Sequence, residues 1–228
     1  LVSIIESVGD DDPSLRHSAT YALQRCMKAS DLTSLTGHRS AHVRIAAVVA
    51  LRGLRSSGIS AFLGDEEILV RQEVARAIYD EYILGAFSAL ADQISDLEVL
   101  DDTGLRGYRG RKEISGDERE VRLARQYHRR VLYANWHVGT IGAARALLAY
   151  AADDRMPERL RLEALHCLET WGKPHELDRV IGDLRVLPER GAVGIYSDLA
   201  PRLGRLIDVA KGKVLAKTVG MATIVGYE

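Results

Sequence analysis

The sequence predicts an all-α fold, a right-handed α-solenoid in which short helix pairs stack on one another. Three observations predict it. A nine-residue pattern, Val/Leu-Arg-x-x-Ala/Val-x-x-Ala/Cys-Leu/Ile, recurs at Leu15, Val43, Val70 and Leu160, and its first three starts lie 28 and 27 residues apart. A fixed period in this range marks units that bury their apolar faces only against their neighbours. Within each copy the first, fifth and ninth positions are apolar and the eighth is small, which draws one apolar stripe along a helix. Composition agrees: 46% of residues are apolar but only 6% aromatic, as in closely packed helices rich in Ala, Leu and Val.

The elements follow in order. The chain opens without Met inside a helix-like pattern (LVSIIESV), which reads as a segment excised from a longer protein. Asp12 before Pro13 is an N-cap followed by proline at the first helical position. The helix it starts buries Leu15, Ala19, Ala22 and Leu23. Ser40 is placed to cap the Val43 helix and Asp65 the Val70 helix. Partner helices are expected at 32–35, 59–63 and 86–94, separated by breakers such as Ser56-Ser57-Gly58. This organisation covers residues 1–94. Residues 95–120 are polar, charged and glycine-containing, and read as a loop or insertion.

The repeat resumes over 121–228, continuous with the first part. Residues 127–135 are a degenerate copy, with His128 in the arginine slot and Asn135 in an apolar one. Asn135 is therefore expected to be buried and to bridge backbone at a helix end or beside Gly139. A partner helix over 141–152 leads to the Leu160 copy. Residues 173–198, with Pro174, Pro188, Gly191 and Gly194, read as an irregular connection. The stretches 201–209 and 213–225 supply a last helix pair.

Net charge is −1, so no global field draws the protein to nucleic acid or an anionic membrane. No apolar run approaches the ~20 residues of a membrane span. Cys26 and Cys167 are too far apart in sequence to suggest a disulfide framework, and both read as buried, reduced thiols. His38 and His42 share a helix face but lack a third ligand, so no metal is assigned. His166-Cys167 is a dipeptide whose side chains diverge, with no base placed against the thiol. There is no GxGxxG, P-loop, GxSxG or HExxH, and the absence of CxxCH excludes covalent haem within this segment. No catalytic residue and no cofactor follow.

Two arginine sets remain. Arg16, Arg44, Arg71 and Arg161 occupy the second position of each copy. They are expected to form a structural ladder to acids or helix-end carbonyls of adjacent units, with Asp12 and Asp65 in reach; the other reading is an anion-binding stripe. Residues 105–130 hold nine Arg or Lys against four acids, including Arg106, Arg109, Arg111, Lys112, Arg122 and Arg125. That segment reads either as a solvated face or as a docking patch for an acidic protein. Only Tyr108 and Tyr127 interleave, which is poor support for nucleic acid.

The four motif copies resemble HEAT repeats of the short kind also found in phycobilin lyases, which implies a HEAT-like αα-superhelix. A narrower resemblance lies in residues 129–191, preceded by 70–94. It rests on Arg129-Arg130, the Ala134-Asn135-Trp136 stretch ending in Gly139, Arg161-Leu162-Glu163-Ala164-Leu165, Trp171, Pro174, Asp178-Arg179-Val180 and Pro188. These resemble the HEAT segment of large bacterial membrane-bound dehydrogenases, in which a sorbosone-dehydrogenase-like β-propeller, a HEAT segment and a C-terminal cytochrome c domain are joined. The resemblance implies a periplasmic or cell-envelope parent and a non-catalytic scaffold that holds the propeller and haem domains of the same chain. One alternative is membership of a sugar or alcohol dehydrogenase whose active site lies in those other domains. Another is a lyase-like chaperone for a tetrapyrrole, which the low aromatic content disfavours.

Overall fold

The computed structural model describes residues 1–100 and 116–225. They carry α1 (Val2–Val8), α2 (Pro13–Cys26), α3 (Ala29–Thr33), α4 (Ala41–Gly53), α5 (Ile68–Asp80), α6 (Phe87–Asp92), α7 (Gly116–Val138), α8 (Ile141–Ala152), α9 (Glu158–Glu169), α10 (Val193–Val209) and α11 (Gly212–Val225). The described residues are all-α, with one isolated antiparallel bridge, Leu177 to Leu184. The chain divides into two compact units, Leu1–Leu90 and Ala91–Glu228.

In the first unit the three motif helices are α2, α4 and α5, and α4 packs against both of the others. The motif positions account for this. Val43, Ala47, Ala50 and Leu51 on α4 are fully buried, as are Val70, Val74, Ala77 and Ile78 on α5. Burying each large aliphatic side chain contributes about 1.5–3 kcal/mol, and the alanines let the helix axes approach. The first copy is looser. Ala19 and Leu23 are buried, but Leu15 remains 44% exposed. Helix α2 has a full-length motif helix on one side and only the seven-residue α1 on the other.

Two expected caps take different forms. The Asp12 carboxylate does accept the Leu15 N–H at 2.9 Å, ahead of Pro13. Ser40 stands at the N-cap of α4 without a side-chain cap bond, and the N-cap of α5 is Glu67 rather than Asp65. Asp65 is drawn elsewhere, as described below. The partner elements are in part 3₁₀ rather than α-helical. Helix α3 runs on into a 3₁₀ turn over Ser34–Gly37, and Ser57–Phe62 is wholly 3₁₀. The third, α6, is an α-helix as expected, led by a 3₁₀ turn over Leu84–Ala86. Runs this short between glycine and serine cannot sustain an α-helical ladder, whereas a 3₁₀ turn needs few residues. Except for Ser34–Gly37, which buries no residue, these pieces serve as apolar plugs, with Leu32, Ile59, Phe62 and Ala86 buried.

In the second unit α7 starts at Gly116, inside the stretch expected to be loop. Glu118 and Glu120 lie near that N-terminus, where the helix dipole favours acids. Helices α7, α8 and α9 pack on one another, and α10 and α11 pack on each other and against α8 and α9. The fourth motif copy is fully buried at Leu160, Ala164, Cys167 and Leu168. Of the two thiols expected inside, Cys167 is buried and Cys26 is exposed, because Cys26 ends α2 on its outer side. The final helix pair begins earlier than expected: α10 starts at Val193 and runs through Pro201. Proline removes the hydrogen bond to the Ser197 carbonyl, but both residues lie on the exposed face, where water can replace it.

Asn135 is 3% exposed, and its amide donates to the carbonyls of Ala91 (2.8 Å) and Val131 (2.9 Å). It thus ties α7 to the C-terminal part of α6. Asn135→Ala is expected to cost about 1–3 kcal/mol in denaturant unfolding. A change below a few tenths would remove this tie from the list of folding determinants.

Candidate functional site

The four second-position arginines make one recurring contact. Each reaches back to a backbone carbonyl that precedes its own helix, in the connection for Arg16, Arg44 and Arg71 and at the end of α8 for Arg161. Arg16 donates to Gly9 at 2.5 Å, Arg44 to His38 at 2.8 Å, Arg71 to Asp65 at 3.2 Å and Arg161 to Ala151 at 2.8 Å. Side chains in a helix lean toward its N-terminus, so the second position is the one from which a guanidinium meets the incoming chain. The partner carbonyl belongs to the connection for Arg16, Arg44 and Arg71, whereas Arg161 takes a helix-end carbonyl of α8. Asp12 plays no part in this; Arg16 pairs with Asp10 instead.

Arg44 also bridges forward. Its Nε and Nη2 donate to Asp65 Oδ2 and Oδ1 at 2.7 and 2.9 Å. Both side chains are buried, at 5% and 3% exposed. Asp65 further accepts the Glu67 N–H at 2.9 Å and offers its carbonyl to Arg71. One aspartate thus joins α4, the turn before α5, and α5 itself. The Asp65 hydrogen bonds hold the Arg44 pKa above its ordinary value.

Of the expected docking patch, Arg106, Arg109, Arg111 and Lys112 lie outside the described residues. Arg122 and Arg125 are half-buried on α7 and engaged within the chain, not fully exposed as docking would require. Farther along α7, Arg129 and Arg130 also turn inward. Arg129 donates to the Arg179 carbonyl at 2.8 Å and lies 3.5 Å from Glu163, and Arg130 is 9% exposed.

A second cluster was not legible as a unit in the sequence. Glu163, 8% exposed, accepts the Tyr133 hydroxyl at 2.6 Å beside Arg129. Burial pushes the Tyr133 phenol far above its usual range, so it remains a donor. Burial likewise raises the Cys167 thiol well above its ordinary value, which leaves it un-ionised and unreactive. Next to this lies the connection 170–192. Asp178 organises it by accepting the N–H groups of Val180 (2.8 Å) and Ile181 (3.2 Å) and the Arg185 guanidinium (3.0 Å). Gly182, at φ +74°, closes the turn. Arg190 lies over Trp171, 4.2 Å from the ring centroid, and 5.8 Å from that of Trp136, and donates to the Trp171 carbonyl at 2.8 Å. Gly139 has φ +71°, a conformation that favours glycine, and a Cβ there would meet the Arg190 guanidinium, which would have to shift. Trp136, Gly139, Trp171 and Asp178, scattered over more than 40 residues, share this cluster.

His137 sits 3.9 Å from Asp178 and is 4% exposed in its side chain. Burial lowers its pKa to about 4 despite the carboxylate, with Arg185 and Arg190 adding to the fall. It is thus a neutral imidazole at pH 7, not half of an ion pair. His166 stacks on His175 at 5.2 Å and is lowered by burial as well. Neither His38 nor His42 meets a third ligand: His38 accepts the Ser40 N–H and His42 lies 3.2 Å from Asp10. Among the described residues no group of three or more His, Cys, Asp or Glu could hold a metal ion.

Two open clefts lie on the surface of the second unit. One, of about 360 Å³, runs between α8 and α10 over Leu148, Ala149, Ala152, Leu206 and Val209, with Arg145, Arg202 and Arg205 at its edge. The other, of about 300 Å³, lies by Leu97, Tyr150 and Met156, where Arg155 is already paired with Asp153 at 2.7 Å. Sequence periodicity marked the α8 face but not the α10 arginines, because Pro201 obscured that helix.

Two outcomes follow. Arg44→Ala and Asp65→Ala should each cost about 3–5 kcal/mol by stranding a buried charge, and the double variant should cost clearly less than their sum. Single losses near zero would show that the pair does not hold the unit. For His137, the unfolded chain takes up a proton near pH 6.5 and the folded protein only near about 4. Stability is therefore full above that window and falls as pH drops through it, by up to about 3 kcal/mol, with His166 acting in the same direction. His137→Leu should flatten the fall in denaturation midpoint between pH 7 and 5; an unchanged slope would mean the imidazole is protonated in the fold.

No family model, curated protein or solved structure matches the chain.

Proposed function

We propose that the chain is a non-catalytic, HEAT-like helical scaffold that binds other proteins, its motif helices stacked as a right-handed solenoid. One observation carries the reading. The buried acids, the buried thiol and the motif arginines are engaged in holding backbone and helices or are held un-ionised, while an arginine-edged apolar cleft lies open on the surface. Trp136 Nε1, Trp171 Nε1 and Arg190 Nη2 are nonetheless buried without a hydrogen-bond partner among the described residues. Glu163 and Asp178 accept from fixed donors, Cys167 and Tyr133 are held un-ionised, and the motif arginines are spent on carbonyls. Buried, saturated groups of this kind support a shape rather than turn over a substrate.

The four repeated arginine contacts favour the solenoid, since they give each motif helix the same local frame. The resemblance to the HEAT segment of propeller dehydrogenases suggests the partners, a β-propeller and a cytochrome c domain, and a place in the cell envelope. No helix among the described residues is long and apolar enough to cross a membrane. On this reading any oxidation of a sugar or alcohol, and any haem, belongs to those other domains.

The purified chain should neither reduce a dye acceptor with aldoses or alcohols nor give a pyridine haemochrome signal. Turnover, or covalently held haem, would overturn the scaffold function.

A further inference from the structure

We propose that the cleft between α8 and α10 docks an acidic amphipathic helix of a partner protein. This deepens the scaffold reading above and rests on it. The cleft has an apolar floor, with Ala149 and Ala152 exposed on α8 and Val209 on α10 at 68% exposure. Ala149 and Ala152 are one turn apart and carry only a methyl each, so a third helix can lie close along α8. Helices packed in this way sit about 8–10 Å apart and use anchors spaced by three and four residues.

Charge selects the kind of helix. Three arginines line the cleft and no carboxylate does. Arg145 is held by Asp198, with Nε to Oδ2 at 2.8 Å, and that bond keeps the Asp198 carboxyl below its ordinary range. Arg202 and Arg205 are both exposed, three residues apart on α10. Among the described residues neither forms a salt bridge or side-chain hydrogen bond. Elsewhere in this unit Arg155 pairs with Asp153, and Lys213 and Lys217 with Glu158 and Glu169. Arg159 on α9 is exposed and, among the described residues, without a salt bridge, but it borders neither cleft. Arg205, without a carboxylate partner, and Arg202, whose charge also acts on Asp198 but which bonds to no carboxylate, stand beside an apolar floor. They match a helix with leucine-like residues on one face and glutamate or aspartate along its flank. Arginine suits that role because its fork binds carboxylates bidentately and it is weakly hydrated.

The test uses the whole chain and a labelled model peptide about four turns long, with leucine on one face and glutamate on the other. Two controls carry lysine for glutamate, or the same composition with the leucines scattered. Anisotropy titration should give binding of the glutamate peptide at least about tenfold tighter than either control, weakening as salt rises. Arg202→Glu with Arg205→Glu should reverse the preference toward the lysine peptide. Val209→Asp should weaken the glutamate peptide. Thermal melts should stay unchanged, since all three side chains are exposed. Equal binding of the three peptides, or binding indifferent to charge reversal, would overturn the proposal. So would arginine-dependent self-association in sedimentation, which makes the occupant a second copy, or arginine-dependent binding to phosphatidylglycerol vesicles in place of peptide. A chain that fails here but shows no dye reduction or haem loses this inference and keeps the scaffold reading; one that turns over a substrate loses the scaffold reading first.

Discussion

A stack of short helices has many ends, and each end brings backbone carbonyls that must find donors when neighbours cover them. The second-position arginine meets that constraint. In α2, α4 and α5 it reaches the carbonyl just ahead of its own helix, and in α9 the end of α8, so each helix carries the means to fix the chain that leads into it. A charged donor on a carbonyl contributes about 1.5–3 kcal/mol, more than a neutral bond of the same length. It also explains why the connections can be so short. A 3₁₀ turn such as Ser57–Phe62 has little stability of its own, yet it is followed at once by Asp65, on which both Arg44 and Arg71 converge.

The second unit solves the same problem without a period. The connection 170–192 is long and irregular, and it is ordered by two residues that act differently. Asp178 gathers N–H donors and the Arg185 guanidinium around one carboxylate, while Arg190 is held by two indole rings and two carbonyls. Desolvation lowers the Arg190 pKa, and the aromatic faces replace part of the lost hydration. Tyr196 completes the arrangement by donating to the last carbonyls of α9 at 3.2 and 3.3 Å. Trp136, Trp171 and Asp178, which carry the family resemblance, are therefore residues that make the fold. That resemblance says nothing of a reaction centre in this stretch.

How far the sequence was legible follows from whether a signal was local. The Asp12-Pro13 start, the buried Cys167 slot and the buried Asn135 each depend on residues within one or two turns, and each was readable. Ser34–Gly37 and Ser57–Phe62 are 3₁₀ rather than α-helical because apolar spacing over four to six residues fits both equally well, whereas α6 is the expected α-helix. Helix α10 starts before Pro201, against the start that a proline signals, because its exposed face tolerates the missing hydrogen bond. Tyr133 and Glu163 meet across 30 residues, and Arg129 and Arg179 across 50, with nothing periodic to link them. The basic segment misled for a related reason: a run of arginines on paper does not distinguish Arg129, which faces inward, from Arg202, which does not.

That distinction separates structure from binding in this chain. With 31 basic and 32 acidic residues, most charges can be cancelled internally, and the motif arginines, Arg129 and Arg185 are so used. A buried pair gives little net stability over apolar residues of the same volume, but it penalises every alternative register that would strand one partner. The internal pairs therefore act mainly as specificity for one arrangement of helices. An exposed arginine without a partner does nothing for that purpose, and its long side chain beside an apolar floor adds no evident stability to α10. Arg202 and Arg205 differ from an exposed arginine such as Arg159 in bordering an apolar cleft, and recognition of an acidic surface is the role that position leaves open.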